Sequence, residues 1–204
     1  MVPGEERPGK ERPGEERPGK EHSDEVLRLE IAATWDGKAI PEAERAQITL
    51  WIENAALILE VDAPAHGDPP PPGEPGPCDG LWDHEVMELF VAGPAAADGA
   101  TPYTEIELSP HGHYLVLQLL GRRQVIRSKL PLAYTANLVS DGARWRGRAR
   151  LDATLLPPLP HRLNAYAIHG QGVARRFLAW APVFGASPDF HRLDAFIPMT
   201  LPAM

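Results

Sequence analysis

Residues 103–119 read YTEIELSPHGHYLVLQL. Side chains two apart on a strand share a face, so Tyr103, Glu105 and Glu107 line one surface while Thr104, Ile106 and Leu108 line the other. The SPHG interruption supplies turn residues, and HYLVLQL resumes a strand pattern, so the stretch predicts a β-hairpin. One face of its first strand is apolar and the other is chemically loaded. Leu115, Leu117 and Leu119 of the second strand join Met87, Leu89, Ile106 and Leu108 as the expected core-facing set.

The same short-strand pattern extends in both directions. VLRLEIAATW alternates Leu27, Leu29 and Ile31 with Arg28 and Glu30, and ITLWIE and LILEVDA read as a hairpin turning at Asn54. VMELFV, LNAYAIHG and ARRFLAWAP are further strands, and AYTANLV and RWRGRARLD are joined at Asp141-Gly142. HGDPPPPGEPGPCDG, residues 66–80, is too rich in proline and glycine for anything but an inserted loop. Helical periodicity is confined to a possible turn in PEAERAQ. The pattern predicts an all-β antiparallel β-sandwich of about 8 to 11 strands, forming a single domain over residues 24–204. Residues 3–22 repeat a ten-residue unit, PGEERPGKER then PGEERPGKEH, without a large apolar side chain. Such a segment cannot bury a core, so residues 1–23 are expected to form a disordered, dispensable tail.

With 43% hydrophobic residues, the 204-residue chain can build a substantial core. A formal charge of −8 disfavours nucleic acid as a partner, since phosphate binding needs a basic patch. Cys78 is the only cysteine, which rules out an intramolecular disulfide and a cysteine-based zinc cluster. The amino terminus MVPGEERPGK lacks an apolar signal core, and no run approaches the roughly 20 apolar residues of a membrane span. A soluble, cytoplasmic protein without a membrane partner is therefore expected; nothing in the sequence sets an oligomeric state.

The loaded face has two readings. RWRGRARLD places Arg144, Arg146, Arg148 and Arg150 on one side and Trp145, Gly147, Ala149 and Leu151 on the other. Were that strand in the same sheet as YTEIEL, glutamates and arginines would form a cross-strand ladder worth roughly 0.2 to 1 kcal/mol per pair. Alternatively Glu88, Tyr103, Glu105, Glu107 and some of these arginines present hydrogen-bonding groups to a small polar ligand. A saccharide suits such a surface. Its hydroxyls need acceptors and donors, and Trp82, Trp180, Tyr103 or Tyr114 can pack on its apolar ring face. Carboxyls at i and i+2 lie about 6 to 7 Å apart by strand rise, compatible with glycosidase separations. They point the same way instead of facing each other across a cleft, so hydrolysis is the minor alternative. His111 and His113 flank the turn, where they either ligate a metal or, for His111, cap the turn by hydrogen bonding. Asp79, Asp83 and Glu85 offer oxygen ligands to calcium without the dense spacing of a calcium loop; no other cofactor is expected.

Three segments, LWDHEVMELFVAG (residues 81–93), YTEIELSPHGHYLVLQLLGRR (residues 103–123) and FLAWAPVFGASPDFHRLDAF (residues 177–196), together resemble the DOMON-like superfamily that includes family 9 carbohydrate-binding modules. The match runs from about residue 26 to 201, closest to a stand-alone, uncharacterised branch. It implies a DOMON-like β-sandwich whose ligand face includes Trp82, Glu88, Glu105 and Glu107. Trp180 would be a second stacking surface, and His191 and Arg192 come from the late D-F-H-R-like segment. With Tyr103 and His111 these complete the candidate ligand-binding set. The resemblance implies a non-catalytic, carbohydrate-binding domain; a structural or protein-interaction sandwich and a glycan-active enzyme are the other readings.

Overall fold

The alternation in RWRGRARLD is realised residue by residue: Trp145, Gly147, Ala149 and Leu151 are buried, while Arg146, Arg148 and Arg150 are exposed. A computed structural model describes Met1 and residues 26–139 and 141–202; the expected disordered tail, Met1 apart, lies outside the described residues. The strands are β1 (Leu27–Ile31), β2 (Ala33–Thr34), β3 (Ala46–Glu53), β4 (Ala56–Pro64), β5 (Val86–Ala92), β6 (Pro102–Leu108) and β7 (Tyr114–Leu120). They continue with β8 (Val125–Arg127), β9 (Ala133–Leu138), β10 (Arg144–Asp152), β11 (His161–His169), β12 (Arg176–Ala179) and β13 (Ile197–Met199). The thirteen strands of the described residues exceed the expected eight to eleven because β2, β8 and β13 have only two or three residues, too few to show a period. Helical structure among the described residues is limited to single 3-10 turns, one of them at Glu42–Glu44 within PEAERAQ. No helix of the described residues is long and apolar enough to cross a membrane.

All strand pairings are antiparallel, and they assemble two sheets. One has the order β1-β3-β4-β10-β9; the other runs β2-β12-β11-β5-β6-β7-β8, with β13 also on β11. Leu29, Ile31, Leu50, Leu57 and Trp145 from the first sheet pack against Met87, Leu89, Ile106, Leu108, Val116 and Leu163 from the second. This inter-sheet core makes the β-sandwich expected from the alternation. Two local devices set the hairpins. Asn54 and Ala55 both adopt positive φ, as a tight two-residue turn between β3 and β4 requires. Gly112, at φ +82°, closes the SPHG turn, where the Gly112 N–H donates to the Ser109 carbonyl at 3.2 Å.

Two expectations are corrected here. Leu115, Leu117 and Leu119 do not face the inter-sheet core: Glu107 pairs with Leu115 and Glu105 with Leu117, so these leucines share the glutamates' face, and Val116 points inward. YLVLQL is apolar on both phases, and alternation alone cannot choose between them. The Arg144–Arg150 strand is likewise in the other sheet from YTEIEL. Its arginines pair on that sheet's outer side, Arg144 and Arg146 with Asp62 and Arg148 with Glu60. The expected glutamate–arginine ladder with Glu105 and Glu107 is therefore absent.

Candidate functional site

The loaded face of β6 lies on the outer side of the second sheet, where a second apolar cluster covers it. Phe90, Tyr103, Leu115, Leu117, Leu119 and Tyr166 from the strands meet Leu81, Val183, Phe190 and Phe196 from the connecting segments. Glu88 sits opposite Glu107, and Glu105 opposite Phe90. The three carboxyl groups each bring an oxygen within 4.8 Å of the others, at 2%, 3% and 0% exposure for Glu88, Glu105 and Glu107. Glu105 Oε2 and both oxygens of Glu107 are buried without a hydrogen-bond partner outside the Glu105–Glu107 pair. Burial, reinforced by repulsion from Glu105, drives Glu88 well above the usual carboxylate range, and burial with repulsion from both neighbours does the same to Glu107. Burial pushes Glu105 up to about 7, opposed by the Glu107 carboxyl and the Arg123 charge. Three mutually close buried carboxyls cannot all be ionised without a counter-charge, so the cluster holds protons or a cation.

A pocket of about 380 Å³ opens above Glu88 and Glu105. Its walls include Leu117, Leu119, Ile168, Phe177 and Phe190, and Arg123, Arg175, Trp82 and His191 complete it. Trp82 belongs to the 3-10 turn Leu81–Asp83. Leu81 is fully buried there, while Trp82 remains 44% exposed and free to meet a ligand. Arg175 donates to the carbonyls of Trp82 and Asp83 and lies over the Phe177 ring at 5.5 Å, so this cation is oriented by the loop it serves. Arg122 and Arg123 both engage Asp189, which ties the β7–β8 turn to the DFHR segment.

Tyr103 organises the far wall. Its hydroxyl oxygen accepts the Arg123 backbone N–H at 3.0 Å and lies 2.8 Å from His191 Nδ1. Tyr103 Oη and His191 Nδ1 thus share one hydrogen bond, whose direction follows the imidazole tautomer. Burial, and then the Arg123 and Arg122 charges, lower His191 to about 4, so the ring is neutral at pH 7. Glu105 Oε2, 4.0 Å from Nδ1, therefore gains no ion pair from it.

Of the residues singled out in the sequence, Trp82, Glu88, Glu105 and His191 line one pocket, with Tyr103 and Glu107 buried behind it. The others lie elsewhere. Trp180 follows Leu178 in the inward phase and packs against the inter-sheet core. His111 is an anchor for the 66–80 loop, its Nε2 3.0 Å from the Asp68 carbonyl oxygen, and His113 is buried with neither ring nitrogen partnered. Arg192 donates to the Phe184 carbonyl and reaches Asp194 at 3.4 Å. Asp79, Asp83 and Glu85 do not converge: Asp79 pairs with Lys129, Asp83 lines the pocket, and Glu85 accepts the His66 and Asp68 backbone N–H groups. Among the described residues, only the three glutamates form a group able to hold a metal ion. They lie side by side beneath the pocket instead of across it. Sequence reasoning missed Arg123, Arg175, Phe177 and Phe190. Arg123 and the two phenylalanines stood inside the quoted segments, but nothing local marked them as pocket residues.

No family model matches the chain. It is 39% identical to the Mus musculus UPF0462 protein C4orf33 homolog over 179 residues, 84% of this chain and 90% of that protein. The Homo sapiens UPF0462 protein C4orf33 is 38% identical over 175 residues, covering 82% of this chain and 84% of its own. Among solved structures, a candidate carbohydrate-binding protein from Bacteroides uniformis superposes with a TM-score of 0.64 at 11% identity, over 84% of each chain. A family 9 carbohydrate-binding module from Caldicellulosiruptor kristjanssonii, solved with cellotriose, gives 0.54 at 11% identity, over 88% of this chain and 84% of that one. The resemblance to family 9 modules is thus borne out at the level of fold.

Proposed function

Because the chain belongs to the UPF0462 family and shares its fold with a family 9 carbohydrate-binding module, we propose that it is a non-catalytic binding domain for a small polar ligand, and that the ligand is a saccharide. The observation that carries this reading is the pocket itself: buried carboxyl oxygens at its floor, apolar walls, and arginines on the same lining. Its volume falls within the roughly 300 to 1,000 Å³ of ordinary small-ligand sites. Glu88 and Glu105 accept from sugar hydroxyls, Arg123 and Arg175 donate to them, and Trp82, Phe177 and Phe190 supply apolar surface for the C–H face of the ring. The fold relative bound to cellotriose supports the choice of ligand class.

Calorimetric titration with mono- and oligosaccharides tests the reading. Weak binding is expected, in the high-micromolar to millimolar range or ~4 to 6 kcal/mol. Glu88→Gln should weaken it while the melting curve stays cooperative, and Trp82→Ala should weaken it by removing exposed ring surface. Absence of saccharide binding at millimolar concentration, or an unchanged affinity in both variants, would overturn the assignment.

A further inference from the structure

The inner end of the pocket offers something a neutral sugar does not require. Glu107 is fully buried beside Glu88 and Glu105, and beyond the neighbouring Glu105 carboxyl neither of its oxygens has a partner; Glu105 Oε2 likewise has none outside the cluster. Carboxylates are acceptors only, and burying them unpaired costs several kcal/mol unless a proton or cation is shared among them. Ligating oxygens of all three residues lie within 4.8 Å of one another, close enough for one ion to be shared among them. We infer that Glu88, Glu105 and Glu107 form a binding site for one hard divalent cation at the floor of the pocket.

The chemistry of the donor set agrees with that ion. Three carboxylates supply three to six oxygens, and the remaining positions of a coordination shell of about six to eight open toward the cavity, where water or ligand hydroxyls complete it. No imidazole or thiolate is part of the group, which disfavours zinc and copper. Three negative charges against two positive ones leave one over, and Arg123 and Arg175 line the same pocket to offset it. The ion reaches Glu107 through the pocket, past Glu88 and Glu105. None of this depends on a saccharide occupying the space above.

The test is titration of chelator-treated, dialysed full-length chain with CaCl2 or MnCl2 alone. Calcium should bind near one ion per chain, more tightly than about 1 mM, and raise the thermal midpoint. Substoichiometric Mn2+ should broaden the methyl resonances of Leu115 and Leu117, the cross-strand partners of Glu107 and Glu105, before any on the Glu60 face. E107Q keeps the side-chain shape and should bind calcium at least tenfold more weakly, whereas E60Q should bind as the parent does. No binding by about 10 mM, first broadening at the Glu60 face, or unchanged affinity in E107Q would overturn the inference. Should E107Q fail to fold, the manganese pattern in the unaltered protein decides. Saccharide titrations with calcium and with EDTA separate the two readings. Ion binding without any sugar leaves the cation site standing and removes the saccharide, while sugar binding in EDTA with no ion uptake does the reverse.

Discussion

Tyr103 joins segments that are far apart in the chain: its hydroxyl meets His191, 88 residues away, and the Arg123 backbone. Burial pushes the phenol up to about 12, opposed by the Arg123 N–H, so it stays neutral. Tyr103→Phe leaves that N–H and His191 Nδ1 without their partner, and chemical denaturation should show a loss of about 1 to 3 kcal/mol; unchanged stability would mean that the network contributes nothing. His169 carries a different consequence. Its ring stacks on His66 at 3.4 Å, and Nε2 is buried without a partner. Burial, then the charges of His66 and Arg176, lower it to about 4 against the opposing Asp68. The unfolded chain takes up this proton near pH 6.5 and the folded chain only near 4, so stability present above 6.5 is lost as pH falls through that window. Between pH 7 and pH 5 the parent should lose on the order of 1 to 2 kcal/mol more than His169→Phe, measured by urea unfolding at each pH. Equal losses would show that His169 is not the group responsible. None of this was legible residue by residue, because a lone histidine or tyrosine gives no local sign of what it will meet.

At the scale of elements, strand phase separates what could be read from what could not. β6 alternates cleanly in polarity, and the structure keeps Ile106 and Leu108 on the inter-sheet side with Glu105 and Glu107 opposite. Leu108→Ala should therefore cost ~2 to 5 kcal/mol, against under about 1 for Leu120→Ala at the partly exposed end of β7; equal values in thermal or urea unfolding would refute the packing. β7 is apolar on both phases and gave no such purchase. The arginines of β10 show the complementary case: their shared face is correct, but their partners are Asp62 and Glu60 on β4. Arg148 lies 5.4 Å from the Trp51 ring as well as beside Glu60, yet the pair is solvent-exposed. Arg148→Ala should accordingly change stability by no more than about 1 kcal/mol, and less at high salt.

Across the whole molecule, stability should be graded from sheet to cover. β5, β6 and β11 are hydrogen-bonded on both sides within the second sheet, whereas residues 184–195, which close the pocket with Phe190 and His191, have bends and one 3-10 turn. In native-state hydrogen exchange the central strands should protect longest and this covering segment least; the reverse order would show that the cover is part of the cooperative core. The sequence by itself determined the strand-rich class, the turns at Asn54 and SPHG, and which side chains share a face along most strands. These follow from a period of two and from backbone preferences that act over a few residues. Only the tertiary structure decided that β10 and β6 belong to different sheets, that the glutamate face is buried, and that Arg123, Arg175, Phe177 and Phe190 meet there. Those pairings depend on how distant segments cross one another, and alternation along a strand is the same whichever sheet receives it.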